Sequence, residues 1–256
     1  MLLTVDVGNT ETKLVAFRDD GVPAGTWRVT TARRRTADEY GVLFAAFFSA
    51  AKFALAEVGA IVVSSVVPIV DRPLAEGCEK YFGIRPEFFT AATQRSIAVR
   101  TDRPSDVGAD LVAAAIGAVG FVGAPAIVVN FGTATTFGAV DRAGAYVGVA
   151  IAPGIQVAFD ALVGRTAKLP QVALEAPASP IGRETVSALQ AGIVFGAVGQ
   201  TEGIVSRMRR ELGDGARVIA SGGLAPIVAR ETDAIERVEP HLVLYGLRAD
   251  WLRRRT

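Results

Sequence analysis

Two stretches of this chain, Val5-Asp6-Val7-Gly8-Asn9-Thr10 near its start and Val129-Asn130-Phe131-Gly132-Thr133-Ala134 at its middle, repeat one pattern. Each reads apolar, short polar, apolar, glycine, small polar, small. Each is followed by a second apolar run, Thr12 to Phe17 and Thr135 to Val140. Either one alone reads as an ordinary hairpin with a glycine turn. Both together, one at the head of each half, imply a duplicated chain that folds as two related lobes. With 256 residues each lobe can bury its own core. The expected division is residues 1–120 and 121–256, and the expected class is α/β.

Hydrophobic periodicity fills in the halves. Leu2 to Val7, Thr12 to Phe17 and Trp27 to Thr30 read as strands, followed by helical spacing from Asp38 to Val58. Ala60 to Val67 is a β-branched strand, and Asp71 to Phe82 a helix that Gly83 ends. Ser105 is read as the N-cap of a helix reaching about Phe121. In the second half Ala126 to Phe131, Thr135 to Val140 and Tyr146 to Ile151 are strands. Gly182 to Leu212 is helical, Arg217 to Ala220 a strand, and Pro240 to Arg253 a closing helix.

Composition excludes several classes of function. The 27 basic and 26 acidic residues give a net charge of +1, so no overall field draws the chain to nucleic acid or to acidic membranes. The single cysteine, Cys78, excludes an internal disulfide and fits a reducing, cytoplasmic setting. The apolar stretches, such as Leu111 to Val129, are broken by Gly and Pro short of a membrane span. Met1-Leu2-Leu3-Thr4-Val5-Asp6 lacks the basic start of a signal peptide.

The two glycine turns carry the chemistry. Turns of Gly with Asn or Thr aim backbone N–H groups into one concavity, which suits phosphate oxygens, and the hydroxyls of Thr10, Thr133 and Thr135 add donors. Two such turns facing each other would clamp a triphosphate. Asp6 would hold Mg²⁺ through its waters. Lys13 is either a phosphate contact or a solvated strand lysine. Asp110, after Gly108-Ala109, is either a helix-start acid favoured by the dipole or a base facing a cleft, and position alone favours the first. Gly182-Arg183-Glu184-Thr185 opens a helix that suits an anion, or is an ordinary Gly-led start. Ser221-Gly222-Gly223 is either a place where a flat adenine passes close to the backbone or a plain turn, and a lone Gly-Gly favours the turn. His241, the single histidine, is the one a Ser-His-Asp mechanism would have to use, but its place after Pro240 at a helix start favours a structural reading.

Taken together, these segments resemble the type III pantothenate kinases. The resemblance rests on Asp6-Val7-Gly8-Asn9-Thr10, Ser65-Val66-Val67-Pro68, Pro104 with Gly108-Ala109-Asp110, and Gly132-Thr133-Ala134-Thr135-Thr136. Later pieces are Ile151-Ala152-Pro153-Gly154, Thr166-Ala167-Lys168-Leu169-Pro170, Gly182-Arg183-Glu184-Thr185, Gly222-Gly223-Leu224 and Leu244-Tyr245-Gly246-Leu247. Nine pieces in order cover nearly the whole chain. The resemblance implies the duplicated fold of sugar kinases, actin and the heat-shock chaperones, with the nucleotide in the cleft between two lobes. It implies a cytoplasmic homodimer that phosphorylates pantothenate with ATP and Mg²⁺, the first step of coenzyme A synthesis, with a monovalent cation, K⁺ or NH₄⁺. Residue by residue, it makes Asp6, Val7, Gly8, Asn9, Thr10, Glu11, Thr12 and Lys13 the first phosphate loop, with Gly132 and Thr133 in the second. It makes Asp110 the general base, and Gly108, Ala109, Asp110 and Thr185 the pantothenate pocket.

Four positions depart from the family pattern. Leu111 stands where an Arg is usual, Thr101 for a Tyr, Asn130 for an Asp, and Val149 for the second of a Gly pair. Loss of the Arg fork removes a carboxylate donor, and Asn130 removes a charge that would help to hold a cation. Two alternatives to an active pantothenate kinase follow. One is a catalytically impaired relative with a regulatory or binding role. The other is a kinase for a different small hydroxylated substrate.

Overall fold

The computed structural model describes residues 1–255. They form two compact units, residues 1–117 with 241–255, and Ala118–Pro240.

In the first unit the order is β1 (Leu2–Val7), β2 (Glu11–Phe17), β3 (Pro23–Thr30), α1 (Ala37–Ala50), β4 (Ala60–Ser65), α2 (Pro68–Phe82), β5 (Glu87–Phe88) and the first part of α3 (Ala109–Val122), whose residues from Ala118 on fall in the second unit. The sheet order is β3-β2-β1-β4-β5. β1, β2 and β3 are antiparallel neighbours, whereas β1, β4 and β5 run parallel. One face packs on α1 and α2 through Leu3, Val5, Val7, Tyr40, Phe44, Phe48, Leu74 and Cys78. Residues of the other face, Leu2, Val15, Phe17 and Val62, cluster with Val112 and Ile116 of α3. Alternation of side chains along each strand feeds both cores.

Local chemistry sets the helix ends. Thr36 caps α1: its Oγ1 accepts from Glu39 N at 3.3 Å, and Glu39 Oε2 accepts from Thr36 N at 2.6 Å. The single helix expected from Asp38 to Val58 is interrupted. α1 stops at Ala50, the chain turns through Lys52 at φ 60°, and a 3₁₀ turn follows at Leu55–Glu57. Gly83 ends α2 in the left-handed conformation, as its lack of a Cβ allows. Ser105 does not cap α3. It lies in a 3₁₀ turn, Pro104–Asp106, where its hydroxyl bonds to Asp106 Oδ1 at 3.1 Å, and α3 starts after Gly108.

The second unit contains β6 (Ala126–Phe131), β7 (Ala134–Val140), β8 (Tyr146–Pro153), α4 (Ile155–Gly164), α5 (Thr185–Leu212), β9 (Arg217–Ser221), α6 (Ala225–Ala229) and β10 (Arg237–Val238). Its sheet order, β10-β9-β6-β7-β8, is that of the first unit element for element. The copy extends to detail. β1 and β6 share one burial pattern, and so do β2 and β7. Register shifts interrupt the second hairpin at Ala16/Phe17 and again at Ala139/Val140. Thr31 N donates to Thr10 O at 2.9 Å, and Gly154 N to Thr133 O at 3.2 Å. The duplication is therefore real, with one residue fewer in the second turn. Thr133 corresponds to Thr10 rather than to Asn9.

The last helix, α7 (Leu242–Arg253), packs with the first unit, not with the second as a division at 120/121 supposes. Leu244 and Leu247 enter the cluster of Leu2, Val15, Phe17 and Val62. Two glycines let α7 meet α3 backbone to backbone. A Cβ on Gly246 would collide with Ala113 O, and one on Gly117 with Leu242 O.

Candidate active site

Asp6 ends β1 in a position fixed by three strands. It lies opposite Lys13 of antiparallel β2 and opposite Ser64 of parallel β4. The carboxylate is buried, and its Oδ1, like Ser64 Oγ, has no hydrogen-bond partner among the described residues. Burial pushes the Asp6 carboxyl up to about 7, and the negative charge of Asp110 adds to the rise. Lys13 and the neighbouring Ser64 hydroxyl pull it the other way. Such a displaced carboxylate marks a functional site when it stands among other chemical groups.

Asp110 lies in the first turn of α3. Its Oδ1 accepts from Leu111 N at 2.9 Å, so the carboxylate curls back over the start of the helix. Gly108 makes room for it: a Cβ there would stand 2.6 Å from Asp110 Oδ1. Burial raises the Asp110 carboxyl above the usual carboxylate range, and the N–H bonds it accepts from Leu111 and from its own backbone oppose the rise. Gly108, Ala109 and Leu111 are half-buried around it. The first unit thus brings together two mutually repelling carboxylates, one lysine and one hydroxyl.

The glycine turn beside Asp6 is braced from within. Gly8 N donates to Glu11 O at 3.0 Å, Thr31 Oγ1 to Gly8 O at 2.8 Å, and Thr12 and Thr31 share a hydroxyl bond of 2.9 Å. The N–H of Gly8 therefore closes the hairpin instead of pointing outwards. The expected row of outward N–H groups is accordingly shorter, and Asn9 and Thr10 form its exposed tip. Val7 and Thr12 are buried below the turn, and the carboxylate of Glu11 faces Arg28 at 3.5 Å.

The second unit keeps the frame and drops the charges. Asn130 takes the place of Asp6, opposite Thr136 and Ser221. Gly132 N closes on Ala134 O at 3.2 Å, with Gly132 and Thr133 exposed at the tip. Gly154 lies so close to the backbone of this turn that a Cβ would meet Gly132 O and Thr133 O. Gly222, at φ 98°, likewise leaves no room for a Cβ beside Phe131 O, so packing requires the first glycine of the Gly-Gly pair, while Gly223 has open space around it. Thr185 is exposed as the first residue of α5.

Ser64 escapes a linear reading, because its role depends on pairing between strands far apart in sequence. The signal was the repeat itself: a short polar residue sits near the end of both apolar runs, Ala60 to Ser65 and Arg217 to Ser221. His241 holds the N-cap position of α7. Among the described residues, no three His, Cys, Asp or Glu side chains group to hold a metal ion.

The sequence model of one family, described as type III pantothenate kinase, matches residues 2–207 of this chain. The chain belongs to that family. A type III pantothenate kinase of Moorella thermoacetica is 44% identical over 248 residues, covering 97% of both chains. One of Geobacillus kaustophilus is 42% identical over 97% of this chain and 96% of its own. Among solved structures, a putative 2-dehydro-3-deoxygalactonokinase of Sinorhizobium meliloti is similar with a TM-score of 0.61 at 15% identity, over 99% of this chain and 96% of its own. A putative Baf family transcriptional activator of Campylobacter jejuni gives 0.57 at 17% identity, over 99% of this chain and 98% of its own. At those identities the structures show the fold alone. They place this member of the pantothenate kinase family in the actin-like and sugar-kinase fold class.

Proposed function

We propose that this member of the family phosphorylates pantothenate with ATP, the first step of coenzyme A synthesis, and that Asp110 is its general base. The observation that carries the assignment to Asp110 is its desolvated carboxylate at the head of α3, beside Gly108 and within electrostatic reach of Asp6. Desolvation makes a carboxylate a stronger base than it is in water. In the reaction the pantothenate hydroxyl oxygen bonds to the γ-phosphorus as the bond from that phosphorus to the ADP oxygen breaks. Asp110 takes the hydroxyl proton. Gly108 and Ala109 border the acceptor, and Thr185 supplies a further contact to it.

Transfer of a phosphoryl group calls mainly for positioning and for neutralising charge. Residues 6–13 would hold phosphate oxygens through the turn at Asn9-Thr10 and through Lys13, with Gly132 and Thr133 serving the same end in the second unit. A magnesium ion would neutralise charge on the phosphates. The residues fit a hydrated ion: Asp6 presents a buried carboxylate oxygen that has no partner among the described residues, and Mg²⁺ keeps several waters. Asn130 offers a neutral oxygen where a cation would gain from a charge, so K⁺ or NH₄⁺ would bind weakly.

A homodimer is supported by exposed apolar side chains in the second unit, Ile151 at 68%, Ile181 at 75% and Val157 at 45%. Light scattering should return the mass of two chains, and a single-chain mass would remove the dimer while leaving the kinase reading intact. The activity itself is tested with purified protein, ATP, Mg²⁺ and pantothenate, with and without K⁺ or NH₄⁺. Phosphopantothenate should form, faster with the cation. Folded protein that binds ATP and yields no product would point to a regulatory relative or to another acceptor.

A further inference from the structure

At the opposite end of β1 from Asp6, about 13 Å away along the strand, the first unit holds a cavity of about 250 Å³. Met1, Arg18, Asp19, Arg248, Trp251 and Arg255 line it. We propose that this cavity is a second binding site, for a small, multiply charged oxyanion of the size of pyrophosphate or a compact polycarboxylate.

Charge is the first argument. Three guanidinium groups meet there against one lining carboxylate, Asp19, and the amine of Met1 adds a fourth cation, donating to Glu57 O at 2.7 Å. The guanidinium of Arg18 has no ion-pair or hydrogen-bond partner among the described residues. Arg255 is only partly neutralised, with Glu87 at 3.7 Å and that carboxylate nearer Arg254 at 2.9 Å. Asp20 and Glu57 line the adjoining hollow, which confines anion binding to the arginine side.

A further feature points to a ligand rather than to a solvated basic surface. The arginines are held in place: Arg255 lies over the Trp251 ring at 4.1 Å, and Arg248 over Phe17 at 5.7 Å, with its Nη2 donating to Asp19 O at 3.4 Å. Guanidinium groups fixed on aromatic faces lose little freedom on binding an anion. The volume is below that of pockets for drug-sized ligands, which limits the occupant to a few heavy atoms.

The test uses fluorescence from the site itself. The chain has two tryptophans, so Trp27→Phe leaves Trp251 as the only one. Trp27 stacks on Phe47 and Phe48, and phenylalanine keeps that contact. Sodium pyrophosphate and sodium citrate are titrated separately at constant ionic strength. A saturable change in Trp251 emission is expected with at least one, and the stronger binder distinguishes a phosphate from a carboxylate source. Adding Arg18→Gln and Arg255→Gln should weaken that binding about tenfold or more, the scale of a lost charged hydrogen bond. Adding Asp6→Asn instead should leave the midpoint unchanged, which separates this cavity from the phosphate loop. No saturation with either anion, an unchanged midpoint in the arginine variant, or loss of the response in Asp6→Asn would each overturn the proposal.

Discussion

The chemistry of this protein turns on a few residues whose meaning depends on who faces whom across the sheet. Asp6 is the clearest case. Its carboxyl stands near 7 in the folded chain against an ordinary 3.8, so the native state binds a proton more tightly than the unfolded state. Linkage then makes stability fall as pH rises from about 4 to about 7, by up to about 4 kcal/mol, and level off above. Asp110 is raised too and tilts the curve in the same sense. In denaturant titrations over that range Asp6→Asn should flatten most of the slope and be the more stable protein at pH 8. A variant curve parallel to that of the wild type would mean that Asp6 is not the desolvated group described. Of these partners, Asp6, Lys13 and Asp110 were legible in the sequence, because each sits in a local motif. Ser64 was not, since only the parallel register of β1 and β4 sets it opposite Asp6. The choice between helix-start acid and base for Asp110 was equally closed to a linear reading, because desolvation comes from packing.

At the scale of elements, strong periodicity was legible and geometry was not. The runs that became β1, β2, β6 and β7 showed themselves through alternation and through their repetition. The two-residue strands β5 and β10 and the five-residue α6 are too short to leave a periodic trace. Helix α1 looked longer than it is because apolar residues continue past Lys52, where the backbone turns. Gly246 carried no visible signal beyond its place in a motif, yet it governs the contact of α7 with α3. Gly246→Ala should force these helices apart and cost about 3 kcal/mol, the upper range for overpacking. Thermal unfolding measures it. A variant as stable as the wild type would show that the helices do not cross so closely.

For the whole molecule, duplication is the organising fact. One sheet plan occurs twice, down to its bulges and the bond that braces each turn. The copies have diverged in charge: Asp6 with Lys13 in the first, Asn130 with Thr136 in the second. The same fold therefore offers two glycine turns of unequal polarity, and the first unit adds the desolvated carboxylate of Asp110. Chain order hides one feature of this plan. The first unit is closed by the last helix, which no reading by halves would assign to it. The most direct test of the central claim compares phosphopantothenate formation by the wild type and by Asp110→Asn, with ATP binding measured on both. A general base is worth about 10²- to 10⁴-fold. The variant should bind ATP as well as the wild type does and lose turnover by that factor. Equal turnover by the two proteins would contradict the account and remove Asp110 from the reaction.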